Sequence, residues 1–567
     1  MDLETVKVAL VGPSDPYNRL SETFPVLSEE QIEQFQEYGA LEDRKRGDFL
    51  YRRGQREIDF FVVLHGSLEV LETKSDGTEQ HLVTLNRGHF TGELTLFNSR
   101  GSLVAVRIAE DSRVLRIPRK CFRRLMIGEP ELAEVITRAF ILRRSAFLAH
   151  EQAAATLIGN THDRGVVRMQ QFLRRNGIPV KTISAETDPA VVADLLKSRS
   201  ITSQVRPIVI YGHDQYLLNP TLPELGAALG FTEQIDTEEI FDVTIVGAGP
   251  AGLSAAVYAS SEGLNTLVVD SYAPGGQAGS SSKIENYMGF PAGISGQALS
   301  ARAQIQSQKF GAKISVPRLV VRMDCDSTPM RLFFADGACI RSRAIVVATG
   351  AHYQKLAIAD LEKFEGVGIH YAATAIEAAL CARDEVIVVG GGNSAGQAAM
   401  YLSSKATHVH LLVRGKSIHT SMSEYLSSRI EMSKRITVHL QTEITRLSGD
   451  RYLESVSWKS ENGNEETHAI GNVFLMLGAN PNTDWAKGCL DLDNKGFVVC
   501  SNPKSPFETS QPGVYAVGDV RSGSIKRVAS AVGEGSVVIS SIHTFLNDAL
   551  ITNTEGQTRS TSYHTKD

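Results

Sequence analysis

Cysteine is scarce in this chain, and its spacing excludes several classes of protein. Six cysteines occur among 567 residues, and no two of them form a Cys-x-x-Cys pair. Small disulfide-stabilised secreted domains carry many more, so we expect scattered thiols in a reducing compartment. Because no histidines and cysteines cluster with the spacing of metal ligands, we also expect no metal site.

Long apolar runs and an excess of basic charge are missing as well. We find no stretch of about eighteen uncharged apolar residues, and therefore expect no membrane-spanning helix. The 58 basic and 64 acidic residues give a net charge of −6, which argues against a nucleic-acid-binding surface. The N-terminal residues lack a basic segment followed by an apolar run, so we predict no signal peptide and a cytoplasmic location.

The chain does have an ordinary globular composition and considerable length. Its apolar content of 42% and charged content of 22% are typical of globular proteins. A chain of 567 residues exceeds what one hydrophobic core holds, which predicts several domains.

The strongest pattern begins at residue 241. The segment FDVTIVGAGPAGLSAAVYASSEGLNTLVVD predicts a strand, a glycine turn, a helix and a second strand. Gly247, Gly249 and Gly252 fill the pattern GxGxxG, in which the first glycine permits a tight turn, the second lets the backbone approach a pyrophosphate and the third packs helix against strand. Asp270 closes the second strand, where a carboxylate accepts hydrogen bonds from a ribose. This segment therefore predicts a dinucleotide-binding unit.

A second dinucleotide turn follows in EVIVVGGGNSAGQAAMYLSSKATHVHLLVRG. Gly390, Gly392 and Ala395 fill the pattern GxGxxA, and the second strand ends without an acidic residue. Arg414 and Lys416 follow that strand, and a cation there suits a 2′-phosphate. We therefore predict NADPH, with NADH as the alternative, although a solvated charge at a strand end is another reading of Arg414.

Between about residues 241 and 547 the chain contains, in this order, the motifs GAGPAG, PGGQ, IENYMGFP, ATGA, GGGNSA, GANPNT and GVYAVGDV. Over this range it resembles a thioredoxin reductase of the small bacterial type. The resemblance implies FAD and NADPH as cofactors and a homodimer. The further cofactor-binding residues that it implies are Pro250, Ala251, Gly275, Gly276, Gln277, Asn286, Thr349, Gly350, Ala351, Asn393, Ser394, Gly518, Asp519, Arg527 and Ala529.

The chain departs from that family at the redox-active dithiol. The family's Cys-Ala-Thr-Cys aligns with Ala372, Ala373, Thr374 and Ala375. Alanine cannot relay electrons as a thiolate does. Cys381, nine residues after Ala372, is better read as a packing residue than as a substitute. We name no catalytic residue.

Short strands with glycine turns over residues 20–120 predict an antiparallel β-roll, and a helical stretch of about 119–148 closes it. With this pattern the first 150 residues resemble a cyclic-nucleotide-binding domain. The resemblance places Gly92 and Glu93 against a phosphate and a ribose. The family's phosphate-binding arginine aligns with Ser102, which leaves a buried phosphodiester without its cation. The segment therefore predicts either a weak nucleotide ligand or a ligand-free domain used for docking or regulation.

Residues 151–231 predict a small α/β domain in the order βαβαβα. The segment resembles a glutaredoxin or thioredoxin-like fold, in which Pro207 would be the cis-proline before the third strand. The redox turn of that fold would lie near His162 to Gly165, where the sequence HDRG has no cysteine. We therefore expect a docking module without redox activity.

Together these segments predict a multidomain protein with a β-roll, a small α/β thioredoxin-like domain and two Rossmann-like α/β dinucleotide-binding domains. The predicted bounds are 1–150 and 151–231 for the first two domains, 232–240 for a linker, 241–356 with 481–548 for a discontinuous FAD-binding domain, 357–480 for an NAD(P)H-binding domain and 549–567 for a flexible tail.

We predict hydride transfer from NADPH to FAD, followed by direct electron delivery to a small-molecule or small-protein acceptor. Three alternatives stay open. The protein could reduce thioredoxin disulfides with partner-supplied cysteines, act as a redox or ligand sensor, or be a specialised-metabolism enzyme acting on a small molecule.

Overall fold

The computed structural model describes residues 15–560 except for short gaps. The gaps are 75–77, 99, 153–154, 161–162, 204, 212–214, 231, 281–283, 285–286, 366–367, 372, 374–380, 382–383, 451 and 504. The chain divides into two compact units, of which the first contains residues 1–350 and 483–567 and the second contains residues 351–482. Among the described helices, none is long and apolar enough to cross a membrane.

The first unit begins with two antiparallel sheets, in the orders β1-β7-β3 and β2-β6-β4-β5. The strands are β1 (Ala40–Arg44), β2 (Phe49–Tyr51), β3 (Phe60–His65), β4 (Leu68–Thr73), β5 (Glu79–Leu85), β6 (Ala105–Ile108) and β7 (Ser112–Ile117), and the helices are α1 (Leu20–Thr23), α2 (Glu29–Gln36), α3 (Arg119–Gly128) and α4 (Pro130–Ala149). The predicted helical stretch is thus two helices, because Pro130 begins a new one. The sheets and helices share an aromatic core, in which the Phe60 ring centroid lies 5.1 Å from that of Phe122 and 5.4 Å from that of Phe90.

A small four-stranded sheet follows, in the order β11-β10-β8-β9. Its elements are β8 (Ala155–Ile158), α5 (Arg164–Arg175), β9 (Val180–Ile183), α6 (Pro189–Ser198), β10 (Ile208–Tyr211), β11 (Gln215–Leu218) and α7 (Leu222–Ala228). The observed order is therefore βαβαββα, with β11 added to the sequence prediction. β11 pairs antiparallel with β10. The Arg206–Pro207 peptide bond is cis, as predicted.

The first dinucleotide turn lies in a larger sheet of the first unit, in the order β14-β13-β12-β17-β16-β15. Its elements are β12 (Ile240–Val246), α8 (Pro250–Ser261), β13 (Thr266–Val269), α9 (Gly296–Phe310), β14 (Lys313–Ser315), β15 (Val320–Asp324), β16 (Met330–Phe334) and β17 (Cys339–Val347). β12 pairs parallel with β13 on one side and with β17 on the other. The predicted linker 232–240 packs against this sheet, where Ser315 Oγ donates to the Glu233 carbonyl at 2.8 Å.

The second unit contains a five-stranded parallel sheet in the order β19-β26-β20-β21-β22 and a three-stranded antiparallel sheet, β23-β24-β25. Its elements are β18 (Ala351–Tyr353), β19 (Ile369–His370), β20 (Glu385–Val389), α10 (Asn393–Ser403), β21 (His408–Val413), α11 (Glu424–Glu431), β22 (Ile436–Leu440), β23 (Glu443–Ser448), β24 (Ser455–Lys459), β25 (Glu465–His468), β26 (Val473–Leu475) and β27 (Ala479–Pro481). β18 and β27 pair with each other.

The chain then returns to the first unit through β28 (Val514–Ala516), which pairs parallel with β17. The last helix, α12 (Val528–Ser560), packs against α8. It includes residues 549–560 of the predicted flexible tail, while 561–567 lie outside the described residues.

Candidate dinucleotide-binding sites

Each of the three glycines in the first turn is favoured over larger residues for a different steric reason. Gly247 has φ +110°, and a Cβ placed on it would lie 2.2 Å from the Ala348 carbonyl oxygen. A Cβ on Gly252 would lie 1.9 Å from the Gly247 carbonyl oxygen, so that position permits the close approach of helix α8 to the turn. A Cβ on Gly249 would have Gly276 Cα as its nearest neighbour, at 3.9 Å. The backbone at Gly249 therefore has an open side, as a pyrophosphate requires.

Asp270 joins the turn to the loop after β13. Its carboxylate accepts hydrogen bonds from the backbone N–H groups of Ala248 at 2.9 Å, Tyr272 at 2.8 Å and Ala273 at 3.2 Å. Burial raises the pKa of the carboxyl above its usual range, while these N–H groups act in the opposite direction. The carboxylate thus fixes the local backbone, and Oδ2, which accepts only the Ala248 N–H, still has capacity to accept a ribose hydroxyl.

The predicted loop residues Gly275 and Gly276 lie beside the same turn. The Gly275 N–H donates to the Ala248 carbonyl at 2.7 Å, and Gly276 has φ +53°. Arg175, at the end of α5, donates from Nη2 to the Gly276 carbonyl at 2.6 Å. Gln277 is exposed, and Asn286 lies outside the described residues.

The returning chain brings Gly518 to the start of α8. A Cβ on Gly518 would lie 3.0 Å from Ala251 Cβ, so its neighbour Asp519 comes close to the helix N-terminus. Burial raises the pKa of Asp519. Thr349 and Gly350 follow β17 at the same edge, whereas Arg527 and Ala529 are exposed near the start of α12.

Sequence reasoning missed two residues of α12 that complete this arrangement. Glu534 accepts hydrogen bonds from the Gly518 N–H at 2.6 Å and from Arg521 Nη2 at 2.6 Å. A Cβ on Gly535 would lie 2.2 Å from the Ala251 carbonyl oxygen, so this glycine permits the contact of α12 with α8. Glycine inside an otherwise apolar helix was the available signal.

The second glycine turn repeats the steric pattern in the second unit. Gly390 has φ +144°, and a Cβ on it would lie 2.5 Å from the Met476 carbonyl oxygen. Ala395 is fully buried, and a Cβ on Gly392 would meet its nearest neighbour only at 3.8 Å. Of the next two residues, Asn393 accepts from the Ser423 N–H through Oδ1 at 2.7 Å, and Ser394 is exposed.

Arg414 and Lys416 lie just after β21, at the carboxyl edge of this sheet. Both are exposed, and neither forms an ion pair with any residue that the structure describes. Two cations available at that edge fit a 2′-phosphate.

In the N-terminal sheets, the predicted nucleotide contacts are engaged by the protein itself. Glu93 is 2% exposed, and its Oε2 lies 2.6 Å from Arg144 Nη2. Ser102 Oγ donates to the Val104 carbonyl at 2.8 Å. Arg144 Nη1 and Arg100 Nη1 donate to the carbonyls of Gly177 and Asn176 at 2.9 and 3.0 Å. The Glu93 loop is therefore tied to the small α/β sheet.

Comparison with known proteins finds one family model that matches the dinucleotide-binding segment and another that matches the N-terminal sheets. Residues 241–535 match the family model for pyridine nucleotide-disulphide oxidoreductases, and residues 41–128 match that for the cyclic nucleotide-binding domain. A thioredoxin reductase from Listeria innocua is 32% identical over 305 residues, which are 53% of this chain and 92% of that protein.

The chain belongs to the pyridine nucleotide-disulphide oxidoreductase family. The matched segment covers just over half of its length. As a member of this family it is a flavin-dependent NAD(P)H oxidoreductase, and the thioredoxin reductases of the family use FAD and NADPH. The residues of the two glycine turns fit FAD and NADPH.

Two further similarities extend the comparison of this oxidoreductase. NADPH-dependent thioredoxin reductase 3 from Arabidopsis thaliana is 32% identical over 317 residues, which are 54% of this chain and 59% of that protein. The solved structure of a thioredoxin reductase from Giardia duodenalis has 27% identity and a TM-score of 0.49 over 55% of this chain and 99% of that one.

The alanine segment that the sequence analysis aligns with the family's dithiol lies largely outside the described residues. Ala373 is partly buried and packs against the core of the second unit, while Ala372, Thr374 and Ala375 are not described. Cys381 is fully buried in that same core, which agrees with its prediction as a packing residue.

The expectation of scattered thiols is wrong for two cysteines of this oxidoreductase. Cys325 and Cys489 form a disulfide between residues 164 positions apart, a pairing that sequence spacing alone does not reveal. Cys325 directly follows β15, and β16 separates β15 from β17 in the sheet. The disulfide is thus removed from the strand edge that carries the first glycine turn. Cys121, Cys339 and Cys500 are free thiols.

Proposed function

We propose that this oxidoreductase passes electrons from NADPH through FAD directly to an external acceptor. The observation that carries the proposal is the replacement of the Cys-Ala-Thr-Cys dithiol by Ala372, Ala373, Thr374 and Ala375. Bound FAD supplies the redox chemistry, since it accepts two electrons as a hydride and releases them to a second substrate. The chain contributes binding, orientation and exclusion of water.

In this proposal each glycine turn binds one dinucleotide. Gly249 and the α8 N-terminus hold the FAD pyrophosphate, with Asp270 at the ribose and Asp519 near the same helix end. Gly392 and the α10 N-terminus hold the NADPH pyrophosphate, and Arg414 with Lys416 receives the 2′-phosphate. The FAD-binding domain comprises 241–356 and 481–548, the NADPH-binding domain comprises 357–480, and the enzyme is a cytoplasmic homodimer.

Reduction of thioredoxin with partner-supplied cysteines is the alternative outcome. Stopped-flow absorbance separates the two: the flavin is reduced anaerobically with NADPH and then mixed with thioredoxin, ferredoxin, a quinone or oxygen. We expect fast reoxidation by a non-thiol acceptor and slow reoxidation by thioredoxin. The variant Ala372→Cys/Ala375→Cys restores the dithiol and serves as the control that should gain thioredoxin reduction. Fast reoxidation of the natural chain by thioredoxin alone refutes direct delivery.

Regulation by the N-terminal segments is a second candidate, and one group of contacts favours it. The Arg175 guanidinium carbon lies 5.1 Å from the Tyr272 ring centroid, and its Nη2 reaches the Gly276 carbonyl. Asn176 Nδ2 donates to the Tyr272 carbonyl at 3.2 Å. The end of α5 thus contacts the loop of Tyr272 and Gly276, which we assign to FAD binding. Helix α5 belongs to the small α/β segment, which we propose to be a thioredoxin-like docking module.

The matched variants Arg175→Met and Arg174→Met test regulation. Arg174 is the exposed neighbour of Arg175, and its side chain makes none of the contacts above. We expect Arg175→Met to change the FAD dissociation constant and the NADPH turnover, and Arg174→Met to leave both at the natural values. Equal values for the two variants contradict a regulatory role for this contact.

A further inference from the structure

An internal cavity lies between the N-terminal sheets and helix α4, and its wall is mainly apolar. The apolar side chains include Phe24, Val70, Leu82, Leu85, Val104 and Phe147. The cavity has one buried cation, Arg143 from α4, whose residue is only 6% exposed. A charged group on an apolar wall needs a compensating partner.

The hydrogen bonds of Arg143 engage two of the three guanidinium nitrogens. Nε donates to the Thr23 carbonyl at 2.9 Å, and Nη1 donates to the carbonyls of Phe90 and Gly92 at 3.2 and 3.0 Å. Nη2 is buried and has no hydrogen-bond partner among the described residues. These carbonyls position the guanidinium but carry no net negative charge.

Neighbouring aromatic rings stabilise the positive charge of Arg143 but do not neutralise it. The guanidinium carbon lies 4.8 Å from the Phe90 ring centroid and 5.0 Å from that of Phe24, both within cation–π range. In the part of the chain that the structure describes, no carboxylate forms an ion pair with Arg143. Burial lowers the pKa of Arg143 to about 10, so the group is still protonated at neutral pH.

The wall gives a cyclic nucleotide few of the partners it needs. The nearby carboxylate, Glu93, is paired with Arg144, and its Oε1 accepts from the Leu103 N–H at 3.3 Å. Ser102 takes the place of a phosphate-binding cation, and its hydroxyl is engaged by a carbonyl. A ribose would therefore lose hydrogen bonds on entering, and a phosphodiester would have Arg143 as its one charged partner among the lining residues.

We propose that this cavity binds a small carboxylate on an apolar chain or ring, with the carboxylate on Nη2 of Arg143. The carboxylate provides the missing negative charge and accepts the unused N–H donors. The apolar part of the ligand contacts the side chains of Val70, Leu82 and Phe147. The site differs from the flavin and pyridine nucleotide sites.

The experiment uses the purified full-length flavoprotein, with benzoate and hexanoate as probes in isothermal titration calorimetry. Benzamide and hexanol are their uncharged counterparts, and cyclic AMP is the nucleotide control. We expect at least one carboxylate to bind while its uncharged counterpart and cyclic AMP bind at least about tenfold more weakly, which corresponds to roughly 1.4 kcal/mol. Binding of neither carboxylate, or tighter binding of cyclic AMP, overturns the proposal.

Three variants locate the binding site. Arg143→Met removes the charge and is expected to weaken the carboxylate about tenfold or more. Val70→Phe fills the cavity with Arg143 intact, and it keeps the test valid if Arg143→Met fails to fold. Arg138→Met, an exposed arginine on the same helix, should leave the affinity unchanged. Carboxylate binding that survives Val70→Phe places the ligand elsewhere and refutes the assignment.

Discussion

The ion pair between Glu93 and Arg144 gives a prediction whose magnitude follows from burial. The Glu93 side chain is 2% exposed and the Arg144 side chain 10% exposed. Replacing Glu93 by Gln keeps the size of the side chain and removes its charge, which leaves the guanidinium buried beside a neutral amide. Breaking a buried pair by removing one partner typically costs about 3–5 kcal/mol.

A matched exposed pair sets the reference for this value. Arg87 and Glu29 lie 2.6 Å apart, but their side chains are 63% and 70% exposed. Solvent screens such a pair, so Glu29→Gln should cost about 1 kcal/mol or less. The difference between the two variants therefore isolates the effect of burial on two ion pairs of the same chemistry and the same distance.

Differential scanning calorimetry of the holoprotein is the appropriate assay. The two tryptophans, Trp458 and Trp485, lie outside the N-terminal sheets, so tryptophan fluorescence is not a direct report on these sheets. A loss of 3–5 kcal/mol lowers the midpoint by roughly 6–20 °C in a domain of 150–250 residues that unfolds cooperatively. We expect such a shift for Glu93→Gln and a shift of a few degrees for Glu29→Gln.

The double variant Glu93→Leu/Arg144→Met tests the mechanism. If the cost arises from an uncompensated charge, removing both charges should restore most of the stability that Glu93→Gln loses. The recovery should be incomplete, because the hydrogen bond from Arg144 to the Gly177 carbonyl is lost as well. Equal midpoints for Glu93→Gln and Glu29→Gln would refute this reasoning.

The dinucleotide sites and the disulfide give three more predictions. Gly252→Ala should abolish most FAD binding, since its Cβ would lie 1.9 Å from a carbonyl oxygen; the flavin-to-protein absorbance ratio measures this, and an equal loss in Gly533→Ala, where a Cβ has no neighbour within 4 Å, would contradict it. Cys489→Ser should lower the melting temperature, because the disulfide closes a loop whose chain entropy is worth up to roughly 5 kcal/mol. Dithiothreitol should lower the melting temperature of the natural chain in the same way. The control Cys339→Ser, which removes a free thiol, should not lower it. Arg414→Ala should raise the KM for NADPH about tenfold and leave that for NADH unchanged, in steady-state kinetics with one fixed acceptor; a parallel rise for both nucleotides would assign Arg414 to a different role.

Features that depend on neighbouring residues in the chain, such as the glycine turns, could be predicted from the sequence. Gly247 and Gly390 are required by positive φ at a strand-to-helix turn, and this requirement is visible in a six-residue pattern. The strand β11 was missed because four residues after a turn carry too little periodicity to distinguish a strand from a loop.

Features that join distant residues were beyond sequence reasoning. Arg144 lies 51 positions after Glu93, and only the packing of α4 against the N-terminal sheets brings the two charges together. In the sequence, Cys325 precedes the second unit and Cys489 follows it. The number of residues between the two cysteines therefore gives no indication that they pair. The same holds for Gly535, since its role depends on the contact of α12 with α8.

The pairing of β18 with β27 has a practical consequence for dissecting the protein. The first and last strands of the second unit run side by side, with Ala351 opposite Pro481, and Gln354 Nε2 donates to Asn480 Oδ1 at 2.8 Å. The termini of residues 351–482 therefore already meet. Excision of this segment, or its exchange for a homologous one, therefore involves two neighbouring junctions and needs no long connection.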